Sequence, residues 1–134
     1  MSSLNFTTER STMKVNTIYL TENGNFSKAI SAWAESKGFS VEQIDPKTTE
    51  LYDLIQGVAL FHENHNFSKE DVELHEEIIK DNIPGYKIDL NGTLVATVSN
   101  FTMWLERNKP NKLLILGNTD LAKNKNLERF LEKL

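Results

Sequence analysis

Short apolar, β-forming runs alternate along this chain with segments whose apolar residues recur at helical spacing. That alternation limits the fold more than any other feature of the sequence. The first run, "VNTIYL" at residues 15–20, closes on a turn signal at Asn23-Gly24. Phe26, Ile30, Trp33 and Ala34 then mark a helix that Gly38 stops. "FSVEQI" at 39–44 alternates apolar and polar residues, as a strand with one less buried face does. Asp45-Pro46 is read as the opening of a short helix carrying Leu51, Leu54 and Ile55, with Asp45 as its cap. "GVALFH" at 57–62 is apolar throughout, the pattern of a strand covered on both faces.

The next helix starts at Ser68, with Asp71 as capping-box partner and Phe67 and Val72 spaced for a hydrophobic staple, and ends before Pro84. "GYKIDL" at 85–90 is a fourth strand. A helix follows with Leu94, Val98, Phe101, Met103 and Leu105 facing inward. "KLLILG" at 112–117 is the fifth strand, and a terminal helix carries Leu127, Phe130, Leu131 and Leu134. Strict alternation with short connections implies parallel strands, right-handed crossovers and helices on both faces, a three-layer αβα sandwich. The expected strand order is the flavodoxin-like 2-1-3-4-5, with the Rossmann-like 3-2-1-4-5 as the alternative. Residues 1–13 are polar without a period and are expected to form a flexible tail, leaving 14–134 as a single α/β domain.

Composition removes several classes of function. The chain has no cysteine, which excludes disulfides, thiolate zinc sites and cysteine nucleophiles. Its net charge of −4 has no basic block within it, which argues against a nucleic-acid partner. No apolar run approaches the roughly 20 residues of a membrane helix, so no membrane partner is expected. The first residues lack the apolar core of a signal peptide, so the sequons at Asn5, Asn25, Asn66, Asn91 and Asn100 are read as by-products of composition, and the expected location is cytoplasmic.

In sheets of this kind ligands bind beyond the carboxyl ends of the strands, where strand order reverses. The segments there, "TENGN", "HENHN", "DLNGT" and "GNTD", are all polar and rich in Asn, whereas the opposite loops read as plain connectors. Asn, Gly and Asp also make good turns and caps, so a binding edge and a set of ordinary turns are both open readings. Two of these segments are near copies: residues 22–28, "ENGNFSK", and 63–69, "ENHNFSK", differ at one position. In the order 2-1-3-4-5 they would lie side by side across the switch point. Glu22 and Glu63 would then form a carboxylate pair suited to acid/base work, and are the candidate catalytic residues. Asn23, Asn25, Ser27, Asn66 and Ser68 would surround two helix N-termini that attract a small polar or anionic ligand. Helix capping alone explains the shared Asn-Phe-Ser, but not the shared glutamate.

His65, Asp89, Asn91 and Asn118 complete the candidate ligand-binding set, Asp89 as a partner for a ribose hydroxyl, with an Asn-Gly turn capped by Thr93 as the structural reading of the same stretch. His62 and His65 flank Glu63, but "HENH" is one residue short of the helical His-Glu-X-X-His motif, so no metal is assigned. His75 shares a helix face with Val72 and Ile79 and reads as a boundary residue of the packed face. There is no Walker A loop, no G-x-G-x-x-G and no G-x-S-x-G, and the sequence leaves the cofactor unknown.

Residues 58–78, "VALFHENHNFSKEDVELHEEI", resemble the strand, Ser-containing loop and glutamate-bearing helix of Toll/interleukin-receptor-type domains and nucleoside deoxyribosyltransferases. The resemblance implies Glu73, Glu76 or Glu77 as a catalytic glutamate acting on an N-glycosidic bond. The leading expectation is a small α/β domain binding an anionic or nucleotide-like ligand between residues 22–28 and 63–69. A non-catalytic module with a protein partner, or a homodimer, is the competing class.

Overall fold

The structure, a computed structural model, describes residues 15–134; the expected N-terminal tail lies outside them. Five strands alternate with five helices: β1 (Thr17–Leu20), α1 (Asn25–Ser36), β2 (Ser40–Gln43), α2 (Leu51–Leu54), β3 (Gly57–His62), α3 (Lys69–Lys80), β4 (Gly85–Asp89), α4 (Leu94–Asn108), β5 (Lys112–Leu116) and α5 (Lys125–Glu132). A 3₁₀ turn at Thr119–Lys123 separates β5 from α5. All strand pairings are parallel, so the α/β class is as expected. The order is β2-β1-β5-β3-β4, which corrects both expected orders. β5 lies between β1 and β3, where the flavodoxin-like order would have made those two strands neighbours.

Burial explains the order. β3 and β5 are apolar on both faces and almost wholly buried, so each needs a strand on either side and a helix layer above and below. β4 carries Lys87 at its middle and β2 is largely exposed, which suits both to the edges. Alternate residues feed two cores. Ile18, Leu20, Ala59, Phe61, Leu113 and Ile115 pack under α1, α4 and α5. Tyr19, Val58, Leu60, Leu114 and Leu116 pack under α2 and α3. The β1-to-β2 and β4-to-β5 crossovers step one way across the sheet and share one face. Those from β2 to β3 and β3 to β4 step the other way and share the opposite face, so all four have one hand, the right hand of such units.

Three local expectations change. The helix expected to open at Asp45-Pro46 is only one turn, Leu51–Leu54, because the Asp45 carboxylate accepts the Lys47 N–H at 2.9 Å and holds a turn instead. Met103 points to solvent: Phe101, Trp104 and Leu105 take the buried stripe of α4, and a residue two beyond Phe101 falls about 200° round the helix. His75 lies deeper than a boundary position, 2% exposed between α3 and β4, and neither ring nitrogen has a hydrogen-bond partner. Gly85 makes room for it, since a Cβ there would lie 3.0 Å from His75 Nε2 and 2.8 Å from Ile79.

A row of aromatic contacts ties α1, β3, α5 and α4 together: Phe26 to Phe61 at 5.5 Å, Phe61 to Phe130 at 5.6 Å, and Phe130 to Phe101 at 5.8 Å between centroids. Phe26 closes the row against the end of β5 because Gly117 has no side chain. A Cβ at Gly117 would stand 2.7 Å from the Phe26 ring and 2.9 Å from Leu121, both buried. Gly117→Ala should therefore destabilise the fold by about 1–3 kcal/mol through overpacking. Chemical denaturation of the two proteins checks this, and equal midpoints would show that Phe26 and Leu121 can give way without cost.

Candidate functional site

β3 and β5 are neighbours whose chains leave for opposite faces, β3 to α3 and β5 to α5. A crevice beyond the carboxyl ends of the strands opens at such a reversal. It is a cleft of about 390 Å³, lined by Glu63 and Asn66 on the β3 side and by Asn118, Asp120, Leu121, Lys123 and Asn124 on the β5 side. Glu63, Asn66 and Asn118 are thus brought together as expected site residues. Asp120 joins them from the 3₁₀ turn with Lys123, whose Nζ lies 4.0 Å from its carboxylate. Among the described residues, the side chains of Glu63, Asn66 and Asn118 make no hydrogen bond.

The β3 wall of the cleft is a tight turn. Asn64 and His65 both adopt left-handed backbone conformations (φ 50° and 65°), and Asn66 N–H donates to the Glu63 carbonyl at 2.9 Å. Two positive φ values at the centre match a type I′ turn. Asp89 Oδ1 accepts the Asn64 N–H at 3.1 Å and the Asn91 N–H at 2.9 Å. His62, 3% exposed, accepts the His65 N–H on Nδ1 at 3.0 Å, so the neutral ring carries its proton on Nε2. Burial pushes the His62 pKa down, with His65 and Lys87 adding to this and Asp89 opposing it, and the ring stays a neutral acceptor. Burial pushes the Asp89 carboxyl up. The two backbone N–H groups and the imidazoles of His62 and His65 outweigh it, so its pKa lies below the ordinary value. Asp89 and His62 are therefore braces of the turn; His65 is exposed at its tip.

The other expected residues are occupied elsewhere. Because β5 intervenes, Glu22 and Glu63 leave strands two positions apart, roughly 10 Å at the usual strand spacing, and the expected facing pair of loops is not formed. Glu22 accepts the Gly24 N–H at 2.6 Å. Gly24, and neither Asn25 nor Ser27, is the N-cap of α1, and Thr119 from the β5 loop accepts the Asn25 N–H at 2.8 Å. Only a glycine fits there, since a Cβ would lie 2.6 Å from Thr119 Oγ1. Ser27 is buried inside α1, and Asn23 and Asn25 are exposed outside the cleft lining. In the second copy Ser68 is the cap, as expected, and accepts the Asp71 N–H at 3.1 Å. Asp71 was not singled out as a site residue from sequence. Burial raises its pKa, and Glu22 and Glu70 add to the rise against the Ser68 hydrogen bond.

The β4 loop is tied to α5. Asn124 Nδ2 donates to Asn91 Oδ1 at 3.1 Å, Asn126 Nδ2 donates to the Leu90 carbonyl at 2.8 Å, and Asn124 Oδ1 accepts the Asn126 N–H at 2.9 Å. Asn91 is thus a tether, and Asn124 a wall of the cleft already engaged on both its amide atoms. Glu73, Glu76 and Glu77 are exposed on α3 outside the cleft; Glu77 accepts a 3.4 Å hydrogen bond from the Tyr52 hydroxyl. A larger groove of about 570 Å³ runs between α1 and α5. Ala29, Trp33, Leu127 and Leu131 line it together with Lys125, Glu128 and Glu132, and among the described residues the buried Trp33 Nε1 has no hydrogen-bond partner there. Among the described residues no three His, Asp or Glu side chains converge as a metal would need, and no helix is long and apolar enough to cross a membrane.

Comparison with family models, with curated proteins and with solved structures finds no match to this chain.

The two buried imidazoles give the fold a defined pH response. Burial lowers the pKa of His75, with Lys87 adding to this and the Tyr86 backbone and Glu76 offsetting it only in part. His62 and His75 both lie below the ordinary 6.5 when folded. The unfolded chain therefore takes up protons first as the pH falls, so stability is complete above pH 6.5 and declines below it toward the lowered values. Thermal melts should show Tm falling from pH 7 to pH 5. His75→Leu should raise stability at pH 7, because it removes a buried polar ring that burial disfavours, and should flatten part of the decline. A Tm independent of pH over that range would mean that neither imidazole resists protonation.

Proposed function

We propose that the chain binds a small polar molecule of nucleotide-like dimensions at the carboxyl edge of its sheet. The ligand lies between residues 63–66 and 118–124, one strand away from where the repeated segments alone suggested. The observation that carries this reading is the cleft at the β3/β5 reversal, lined by Glu63, Asn66 and Asn118, whose side chains make no hydrogen bond among the described residues. Its volume of about 390 Å³ falls within the roughly 300–1,000 Å³ of small-molecule sites. Rigidity supports it as well: one wall is a braced type I′ turn, and the other is locked to α1 through Thr119. A site so held loses little freedom on binding. The competing reading, a protein-interaction module, asks for a contiguous apolar surface. Val95 and Met103 are exposed two turns apart on α4, and Ile79 stands exposed on α3.

Backbone amide NMR of the ¹⁵N-labelled chain, titrated with nucleosides, nucleotides and free sugars, tests the reading. Shifts should concentrate at Glu63, Asn66, Asn118 and Asp120. Asn118→Ala should weaken binding about five- to tenfold, the loss of one hydrogen bond of about 1 kcal/mol or slightly more. Shifts confined to the groove between α1 and α5, or none with any compound, would sink it.

A further inference from the structure

We infer that the cleft recognises its ligand through the vicinal hydroxyls of a sugar and not through a phosphate. This rests on the binding reading above and specifies the chemistry of the same site. The lining side chains without a hydrogen bond among the described residues are Glu63, Asn66 and Asn118, and the Asp120 carboxylate lines the cleft with them. A carboxylate accepts only, and an amide both donates and accepts. Together they match neighbouring hydroxyls, each of which donates one hydrogen bond and accepts others. A phosphate offers acceptors alone and would meet two carboxylates.

Several of the groups that commonly hold phosphate are already engaged at this edge. Helix N-termini bind anions through their leading N–H groups. At α1 the Gly24 and Asn25 N–H groups donate to Glu22 and Thr119. At α3 the Asp71 N–H donates to Ser68, and at α5 the Asn126 N–H donates to Asn124. The cation in the lining, Lys123, is 84% exposed and sits 4.0 Å from Asp120, so it reaches into solvent with a carboxylate beside it. A phosphate on the ligand would extend into solvent past this rim without adding affinity.

The test is NMR titration of the full chain with ribose, adenosine, 2′,3′-dideoxyadenosine, adenosine monophosphate and inorganic phosphate, repeated on Glu63→Gln. Adenosine and its monophosphate should bind within about threefold of each other. The dideoxy compound should be at least about tenfold weaker, the loss of one or two hydrogen bonds to a charged acceptor. Inorganic phosphate should leave the Glu63 and Asn118 amides unmoved. Ribose binding alone would identify a free sugar as sufficient; adenosine binding without ribose would identify a nucleoside, and supports the diol when the dideoxy compound is weaker. Glu63→Gln should weaken adenosine about tenfold without lowering Tm. A monophosphate more than tenfold tighter than adenosine, a dideoxy compound as good as adenosine, or a tighter monophosphate on Glu63→Gln would overturn the inference while leaving the binding site in place. Silence of the cleft to the whole series would overturn both.

Discussion

The rest of the structure depends on β5 occupying the middle of the sheet. Leu113, Leu114, Ile115 and Leu116 are all buried, two toward each face, so the strand's backbone groups have no access to water on either side. Such a strand must exchange hydrogen bonds with neighbours along both edges, and β1 and β3 supply them. The last strand of the chain thereby completes a sheet whose earlier strands cannot pair as β1 with β3. It also sends α5 to the face of α1 and α4, where Phe130 reaches Phe61 and Phe101. Gly117 makes this seating tight by letting Phe26 close over the strand end.

That same placement divides the polar loop residues into those that hold the structure and those left free. The β5 loop enters between the β1 and β3 loops and locks to the first through Thr119 and Asn25. The β4 loop is held through Asn91 and Leu90 by Asn124 and Asn126. The β3 turn is braced by His62 and Asp89, whose depressed pKa values keep each in the charge state its hydrogen bonds require. Polar density at this edge is therefore mostly structural. The small remainder, Glu63, Asn66 and Asn118, lines the β3/β5 crevice without a side-chain hydrogen bond among the described residues, and the proposed binding needs both kinds: available groups to meet a ligand, and fixed groups to hold them still.

The α/β class and most element positions were legible in the sequence because hydrophobic period is a local property. Strand order is not local, yet a signal for it existed. The order 2-1-3-4-5 would put "KLLILG" at an edge and "GYKIDL" inside, exposing four apolar residues and burying Lys87. Reading burial demand across strands, and not only along them, points to β5 inside and β4 outside, where Lys87 lies over the Phe67 ring at 5.2 Å. At the site, Asn118 and Asp120 were legible as polar residues after a strand. Thr119, Lys123 and Asn124 were not, because their roles depend on which loops β5 separates. The helix expected after Asp45 failed for a local reason: Asx turns and helix caps draw on the same residue types.

The twin heptads show how far tertiary partners override local sequence. In the first, Gly24 lets Thr119 approach the backbone, so the helix begins at Asn25 and Phe26 turns into the core under α1. In the second, His65 holds the left-handed position of the turn and draws Asn66 back to Glu63, which delays the helix to Lys69. Phe67 then packs against His62 on the opposite face of the sheet, 4.7 Å between ring centroids. The two glutamates diverge with the backbone. Glu22 folds onto the Gly24 N–H beside it, whereas the Glu63 side chain, freed by a turn that satisfies its own backbone, is left facing the cleft. A shared sequence has thus produced two different settings for one glutamate, set by the partners that Thr119 supplies to the first segment and His62 and Asp89 to the second.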